Sequence, residues 1–322
     1  MANKPPVLCI VGPTGIGKSD FGVSVAKAVG GEVVSADSMQ IYKKMDIGTG
    51  KLREDEMQGV PHYLIDIAEP DATFSVAQWT KRADEAISSI LRRQRLPIVV
   101  GGTGLYIRSI TENLDFGKTR GSAQIRQKWE HYALKHGQLQ LHKILEERDK
   151  EAAQRLHPND VRRVIRALEV LETGGKPFSD GYDWSIQGGR YDTVQFGLRM
   201  NRQDLYARVE HRIDKMLETG LFDEVESLLR QDYNWDLISM QAIGYKELAS
   251  YFRGLCTREE AVALLKRNTR RFVKRQMSWF GRDGRIKWLD VDPVKGIAND
   301  SFSQVYNEAV KLKAGIQKAE TE

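Results

Sequence analysis

Gly12-Pro13-Thr14-Gly15-Ile16-Gly17-Lys18-Ser19 meets the phosphate-binding pattern G-x-x-x-x-G-K-[ST] at every fixed position. The apolar run at residues 7–11 before it reads as a buried strand, and residues 18–29 after it read as a helix. In that setting the backbone N–H groups of the turn face phosphate oxygens at the positive end of the helix. Lys18 would neutralise phosphate charge, and the Ser19 hydroxyl would hold Mg²⁺. The eight residues are therefore expected to bind a di- or triphosphate. The alternative is a glycine-rich turn with no ligand.

Strand-like and helical patterns alternate outward from this point. Residues 32–36, 63–67 and 97–100 read as strands and 75–93 as a helix, whose start is fixed by the capping pair Ser75 and Gln78. From about residue 117 the chain turns polar and helical, ending in a glycine-rich stretch at 178–190. Residues 191–200 then resume a strand and 202–219 a helix. A second capping pair, Thr257 and Glu260, opens a long helix to about residue 280, and 286–289 read as a last short strand. The expected fold is α/β: a P-loop NTPase-like core with a mainly parallel sheet flanked by helices, plus an all-helical insertion domain. Its segments are 1–116 (first part of the core), 117–190 (insertion) and 191–322 (second part, with C-terminal helices). The tail after Lys311 is expected to fray.

With 322 residues, 41% hydrophobic and 29% charged, the chain can bury a sizeable core as a soluble protein. No apolar run is long enough to span a membrane, and no secretory signal is evident, so a cytoplasmic protein is expected. Two cysteines, Cys9 and Cys256, make neither a disulfide framework nor a zinc site. The net charge of +5 suits an anionic partner.

Asp37 follows the second strand and would face whatever occupies the phosphate cleft, as a general base or metal partner, or else cap its own turn. Ser38, Met39 and Gln40 beside it are rich in hydrogen-bonding groups. The strand at 97–100 runs into Gly101-Gly102-Thr103-Gly104 with no acidic residue at its end. Phosphoryl-transfer enzymes of this class keep a metal-holding aspartate near that point, so ordinary phosphoryl transfer is disfavoured. The glycines would let a ligand or polymer approach the backbone, or simply make a tight turn. Arg208 and Arg212 lie one turn apart on a helix and either could clamp a diphosphate. Two basic stripes remain: Arg162, Arg163 and Arg166; and Lys266, Arg267, Arg270, Arg271, Lys274 and Arg275, interleaved with Phe272, Trp279 and Phe280. With the P-loop they suggest a small phosphorylated substrate and a nucleic acid.

The P-loop, Asp37-Ser38-x-Gln40-x-Tyr42, Met45-Asp46-Ile47-Gly48-Thr49, Pro61-His62-x-Leu64-Ile65-Asp66-Ile67, Gly101-Gly102-Thr103-Gly104-Leu105-Tyr106, His157-Pro158-Asn159-Asp160, Arg166-Ala167-Leu168-Glu169-Val170 and Ile243-Gly244-Tyr245-Lys246 occur in that order over nearly the whole chain. This succession resembles the bacterial tRNA dimethylallyltransferase (tRNA isopentenyltransferase) family. The resemblance implies transfer of a dimethylallyl group from dimethylallyl diphosphate to N6 of the adenosine immediately 3′ of the anticodon, with Mg²⁺ as cofactor and diphosphate as the leaving group. It implies catalytic roles for Asp37, Thr14, Lys18 and Arg208. It implies tRNA contacts at Asp37, Ser38, Met39, Gln40, Thr103, Arg126, Arg162, Arg163 and Arg166, and along Gln241, Ala242, Ile243, Gly244, Tyr245 and Lys246. The implied partners are the tRNA anticodon stem-loop and dimethylallyl diphosphate, with no membrane, for a monomeric cytoplasmic enzyme. The chain departs from the family at Lys44, where a glycine is usual, and at Gly50 and Leu52, where alanine and proline are usual. Two other readings stay open: a P-loop kinase of a small metabolite, and a nucleotide-switched RNA-binding protein.

Overall fold

The computed structural model describes residues 4–114, 122–174 and 188–318. The chain forms two compact units, Met1–Asn113 with Gly188–Glu322, and Leu114–Gln187. The predicted insertion limit at 117 and most of the glycine-rich stretch, 178–187, lie outside the described residues.

The larger unit is built on one sheet of seven strands: β1 (Pro6–Val11), β2 (Glu32–Ser35), β3 (His62–Tyr63), β4 (Pro97–Gly101), β5 (Asp192–Arg199), β6 (Lys287–Asp292) and β7 (Gly296–Ile297). Their order is β3-β2-β4-β1-β5-β6-β7, all parallel except the β6–β7 pair. Val7 to Val11 of β1 are fully buried, as befits a central parallel strand covered on both faces. The chain leaves β1 toward β2 on one side, while β5 pairs with β1 on the other. The end of β1 is therefore a point where connections diverge, and such points open a crevice at the carboxyl ends of the strands. The helix Val76–Arg92, capped by Ser75 and Gln78 as its sequence predicts, places Trp79 under the sheet, where the indole donates to Ser35 O (3.2 Å) and stacks on Tyr106.

Two expectations change. The strand predicted over 63–67 is only His62–Tyr63, because Leu64 and Asp66 adopt left-handed backbone (φ 65° and 56°), which ends strand pairing. The tail does not fray at Lys311: the helix Asn299–Lys318 continues through it, since Leu312 and Ile316 are buried and the Lys313 ammonium donates to Val29 O at 2.7 Å. Lys44, at the family's glycine position, carries φ 65°, the left-handed conformation that glycine adopts without strain.

The smaller unit holds the helices Ala123–His136, Gln138–Arg148, Lys150–Arg155 and Val161–Glu172 around a separate core of Trp129, Leu141, Leu145, Val164 and Leu168. Ser122, Asp149 and Asp160 cap three of the four, each accepting a backbone N–H at its helix start.

Candidate active site

Gly15 and Gly17 carry φ 76° and 97°, and a Cβ on Gly15 would stand 2.7 Å from the Val209 side chain. Only glycine fits such a turn. It delivers the chain into the helix Lys18–Val29, whose N-terminus has no side-chain cap, so its free amides face outward at the positive end of the dipole. They open onto a cleft of about 930 Å³. Lys18, Ser19, Asp37, Arg208 and Arg212 all line it, so the structure brings the predicted phosphate and catalytic residues together.

The innermost cations of the cleft are cut off from water. Burial lowers the Lys18 ammonium to about 8, an effect that nearby Asp37 opposes and Arg212 adds to. Burial likewise lowers Arg212, against the pull of Asp37 and Asp20 and with the push of Arg208. Cations held in such surroundings regain stability when an anion binds between them. The Lys18 Nζ donates to Pro13 O at 2.7 Å, which folds it back over the loop. Arg212 Nη1 lies 3.5 Å from the Thr14 hydroxyl. Spacing alone leaves Arg208 and Arg212 equally able to reach a diphosphate, and the resemblance implies Arg208; both line the cleft, and Arg212 is the one set against Thr14.

Asp37 sits just past β2. Its Oδ1 accepts from Met39 N at 2.9 Å, making the turn that the plainer reading expects, and its Oδ2 has no hydrogen-bond partner among the described residues. One oxygen thus fixes the carboxylate and the other is available to a ligand in the cleft. Thr103 supports this turn: its hydroxyl accepts from Ser38 N at 3.0 Å, and its own N–H donates to Ala36 O. Gln40 is engaged with Ser35 Oγ, Thr49 O and Gly50 O, and Met39 packs on the core.

The glycines after β4 serve the protein's own packing. A Cβ on Gly102 would stand 2.3 Å from Gln276 Nε2, and one on Gly104 2.0 Å from Trp279 Nε1. Side chains of the helix Arg258–Phe280 thus occupy the space that the sequence left open to a ligand or polymer.

The residues proposed to touch RNA fall into two groups. Arg162 and Arg163 are exposed, the latter paired with Asp160. Arg126 and Arg166 instead grip Glu169, which is fully buried, at 2.9 and 2.6 Å. Burial alone would raise the Glu169 carboxyl; hydrogen bonds from Arg166 and Arg126 carry it below the usual range. Along 241–246, Gln241 is exposed and Lys246 half-exposed, whereas Tyr245 is fully buried and donates to Glu224 Oε1 at 2.6 Å. Gly244 carries φ 104°. Ala242 is buried and Ile243 packs on the core.

Sequence reasoning missed three residues. The Glu224 carboxylate accepts the backbone N–H groups of Asp46, Ile47 and Gly48 as well as the Tyr245 hydroxyl, pinning a loop that forms one wall of the cleft. Lys51, 5% exposed at its side chain, ties that loop to Asp46 and Asp66. Gln276 holds Thr14. Nothing in spacing or composition marks Glu224 or Gln276, because their partners in the cleft walls lie more than 170 residues away; the partners of Lys51 are close in sequence, but only the fold of the loop brings them onto its ammonium.

Among the described residues no group of three or more His, Cys, Asp or Glu side chains could hold a metal ion, and no helix is long and apolar enough to cross a membrane.

A family model described as IPP transferase matches residues 40–283, a stretch that begins just after Asp37. The chain is 50% identical over 296 residues to a tRNA dimethylallyltransferase from Desulforudis audaxviator, covering 92% of this chain and 95% of that protein. It is similar to the crystal structure of the full-length tRNA isopentenylpyrophosphate transferase of Bacillus halodurans (TM-score 0.72, 40% identity, 99% of this chain and 100% of that one). It is also similar to a eukaryotic dimethylallyltransferase acting on tRNA (TM-score 0.75, 30% identity, 89% and 74% covered). The chain belongs to the IPP transferase family.

Proposed function

We propose that this chain transfers a dimethylallyl group from dimethylallyl diphosphate to N6 of the adenosine immediately 3′ of the anticodon in tRNA, releasing diphosphate. One observation carries the reading: a complete phosphate-binding loop faces a carboxylate at the end of β2, while β4 ends in glycine where a phosphoryl-transfer enzyme keeps its metal-holding aspartate. Such a cleft suits departure of a diphosphate better than transfer of a phosphoryl group.

In this mechanism the amides at the start of the helix Lys18–Val29, with Lys18, Arg208 and Arg212, hold the diphosphate and stabilise the charge that develops on it. The allylic C1–O bond breaks, its electron pair leaving with the diphosphate, and the N6 lone pair forms the new C–N bond. The N6 proton passes to the free oxygen of Asp37. Ile47, Leu52 and Met216 give the cleft an apolar margin for the five-carbon chain. The adenine must leave the anticodon-loop stack to enter. Ser19 fits magnesium, which favours few protein oxygens and takes the rest from water and phosphate; when bound, the ion would neutralise diphosphate charge. Arg162, Arg163, Gln241 and Lys246 are exposed enough to meet tRNA directly, as is the half-exposed Arg126, while Arg166 acts through its grip on Glu169. Ser38, Met39, Gln40, Thr103 and Tyr245 act by shaping the walls of the cleft.

In the test, Asp37→Ala leaves tRNA affinity near normal while modified nucleoside falls by about 10²–10⁴. Near-normal turnover of that variant would remove Asp37 from the chemistry.

A further inference from the structure

Gln276 is 5% exposed, and both ends of its amide are spent on backbone of the two loops that frame the cleft. Its Oε1 accepts from Thr14 N at 2.9 Å, and its Nε2 donates to Gly102 O at 3.0 Å. It projects from the helix Arg258–Phe280, on a buried face shared with Val273 and Phe280. We infer that Gln276 is a positioning residue for the transfer reaction, holding the P-loop at Thr14 so that the threonine hydroxyl and Arg212 face the departing diphosphate. The inference rests on the reading above that this cleft releases diphosphate.

Three observations support it. First, the Thr14 amide is already committed to Gln276, so what Thr14 offers a ligand is its hydroxyl, against which Arg212 stands at 3.5 Å. Second, the contact with Gly102 admits no side chain there, since a Cβ would lie 2.3 Å from Gln276 Nε2; the glycine and the glutamine fit as a pair. Third, the helix is itself fixed to the phosphate-site helix Arg202–Glu218. Lys266 pairs with Asp214 at 2.6 Å and Arg270 pairs with Glu210, two residues before Arg212. The amide is therefore held on a rigid element, as a group that sets another residue's geometry must be. A loop displaced by an ångström loses rate on the order of 10²-fold even when binding survives.

The test is a double-mutant cycle in the full-length protein. Gln276→Met keeps the volume and removes both hydrogen bonds. Single-turnover rates of tRNA modification should fall on the order of 10- to 100-fold, with the KM for dimethylallyl diphosphate within about threefold of the parent. In a Thr14→Ala background, Gln276→Met should cost less than about threefold more, because the residue it positions is gone. Gly102→Ala, which displaces the amide without touching the helix core, should show the same loss and the same failure to add to Thr14→Ala. Losses that multiply with Thr14→Ala, or a Gln276→Met protein of parental rate, overturn the inference. A parent protein that leaves tRNA unmodified overturns the reading beneath it instead.

Discussion

Two helices that look alike as sequence behave differently as structure. The helix Val161–Glu172 and the helix Arg258–Phe280 both carry basic residues at helical spacing over an apolar face. In the first, Arg166 and its neighbour Arg126 are committed to the buried carboxylate of Glu169, leaving Arg162 and Arg163 outward. In the second, Lys266 and Arg270 pair with acids of the helix Arg202–Glu218, while Arg267, Arg271, Lys274 and Arg275 stay exposed. A basic stripe is thus a mixture of internal struts and free charge. Which is which depends on where the acidic partner lies, and periodicity does not report that.

The comparison breaks most sharply at Glu169. The double substitution Arg126→Ala and Arg166→Ala leaves a buried carboxylate with no cation and only the Ser122 N–H as partner, and should cost about 3 kcal/mol in denaturant unfolding. Adding Glu169→Leu should restore most of that. A double variant as stable as the parent would show that the arginines are free charge after all. The exposed members of the longer stripe should act oppositely. Changing Arg267, Arg271, Lys274 and Arg275 together to Gln should alter stability by less than about 0.5 kcal/mol. The slope of log tRNA affinity against log salt should shrink by about 3, a filter-binding measurement in which an unchanged slope would place tRNA elsewhere.

Lys18 offers a different contrast, because it is a cation whose charge is itself conditional. In the proposed mechanism the free enzyme needs it protonated to receive the diphosphate, and burial lowers its pKa to about 8. Thus kcat/KM for dimethylallyl diphosphate should be level with respect to this group below pH 8 and fall about tenfold per unit well above it. Lys18→Arg should abolish that inflection, since a guanidinium does not titrate there. The smallest effect belongs to Arg162 and Arg163. Replacing both with Gln should lower the salt slope by about 1 to 2 with turnover at saturating tRNA unchanged.

What was legible in the chain was local. The P-loop, both capping boxes, the central strands and the place of Asp37 follow from short-range patterns, and each stands where its pattern puts it. What was hidden depended on distant partners. The apolar run at 63–67 looks like a strand, yet Leu64 and Asp66 turn left-handed where Asp66 meets Lys51. Gly102 and Gly104 signal close approach without naming the visitor, which proves to be Gln276 and Trp279 from a helix 170 or more residues away. Tyr245 lies in a motif that resembles an RNA contact, but its hydroxyl is spent on Glu224.

In the proposed reaction this P-loop holds a leaving diphosphate and not a phosphoryl donor. That role is tested most directly by incubating the purified protein with unmodified tRNA, Mg²⁺ and either dimethylallyl diphosphate or γ-labelled ATP, then analysing the tRNA nucleosides by mass and the released phosphates. The expected products are N6-dimethylallyl adenosine and one diphosphate per modified base with the first donor, and no label transfer with the second. Phosphoryl transfer from ATP, with the tRNA nucleosides unchanged under both donors, would contradict the proposed reaction.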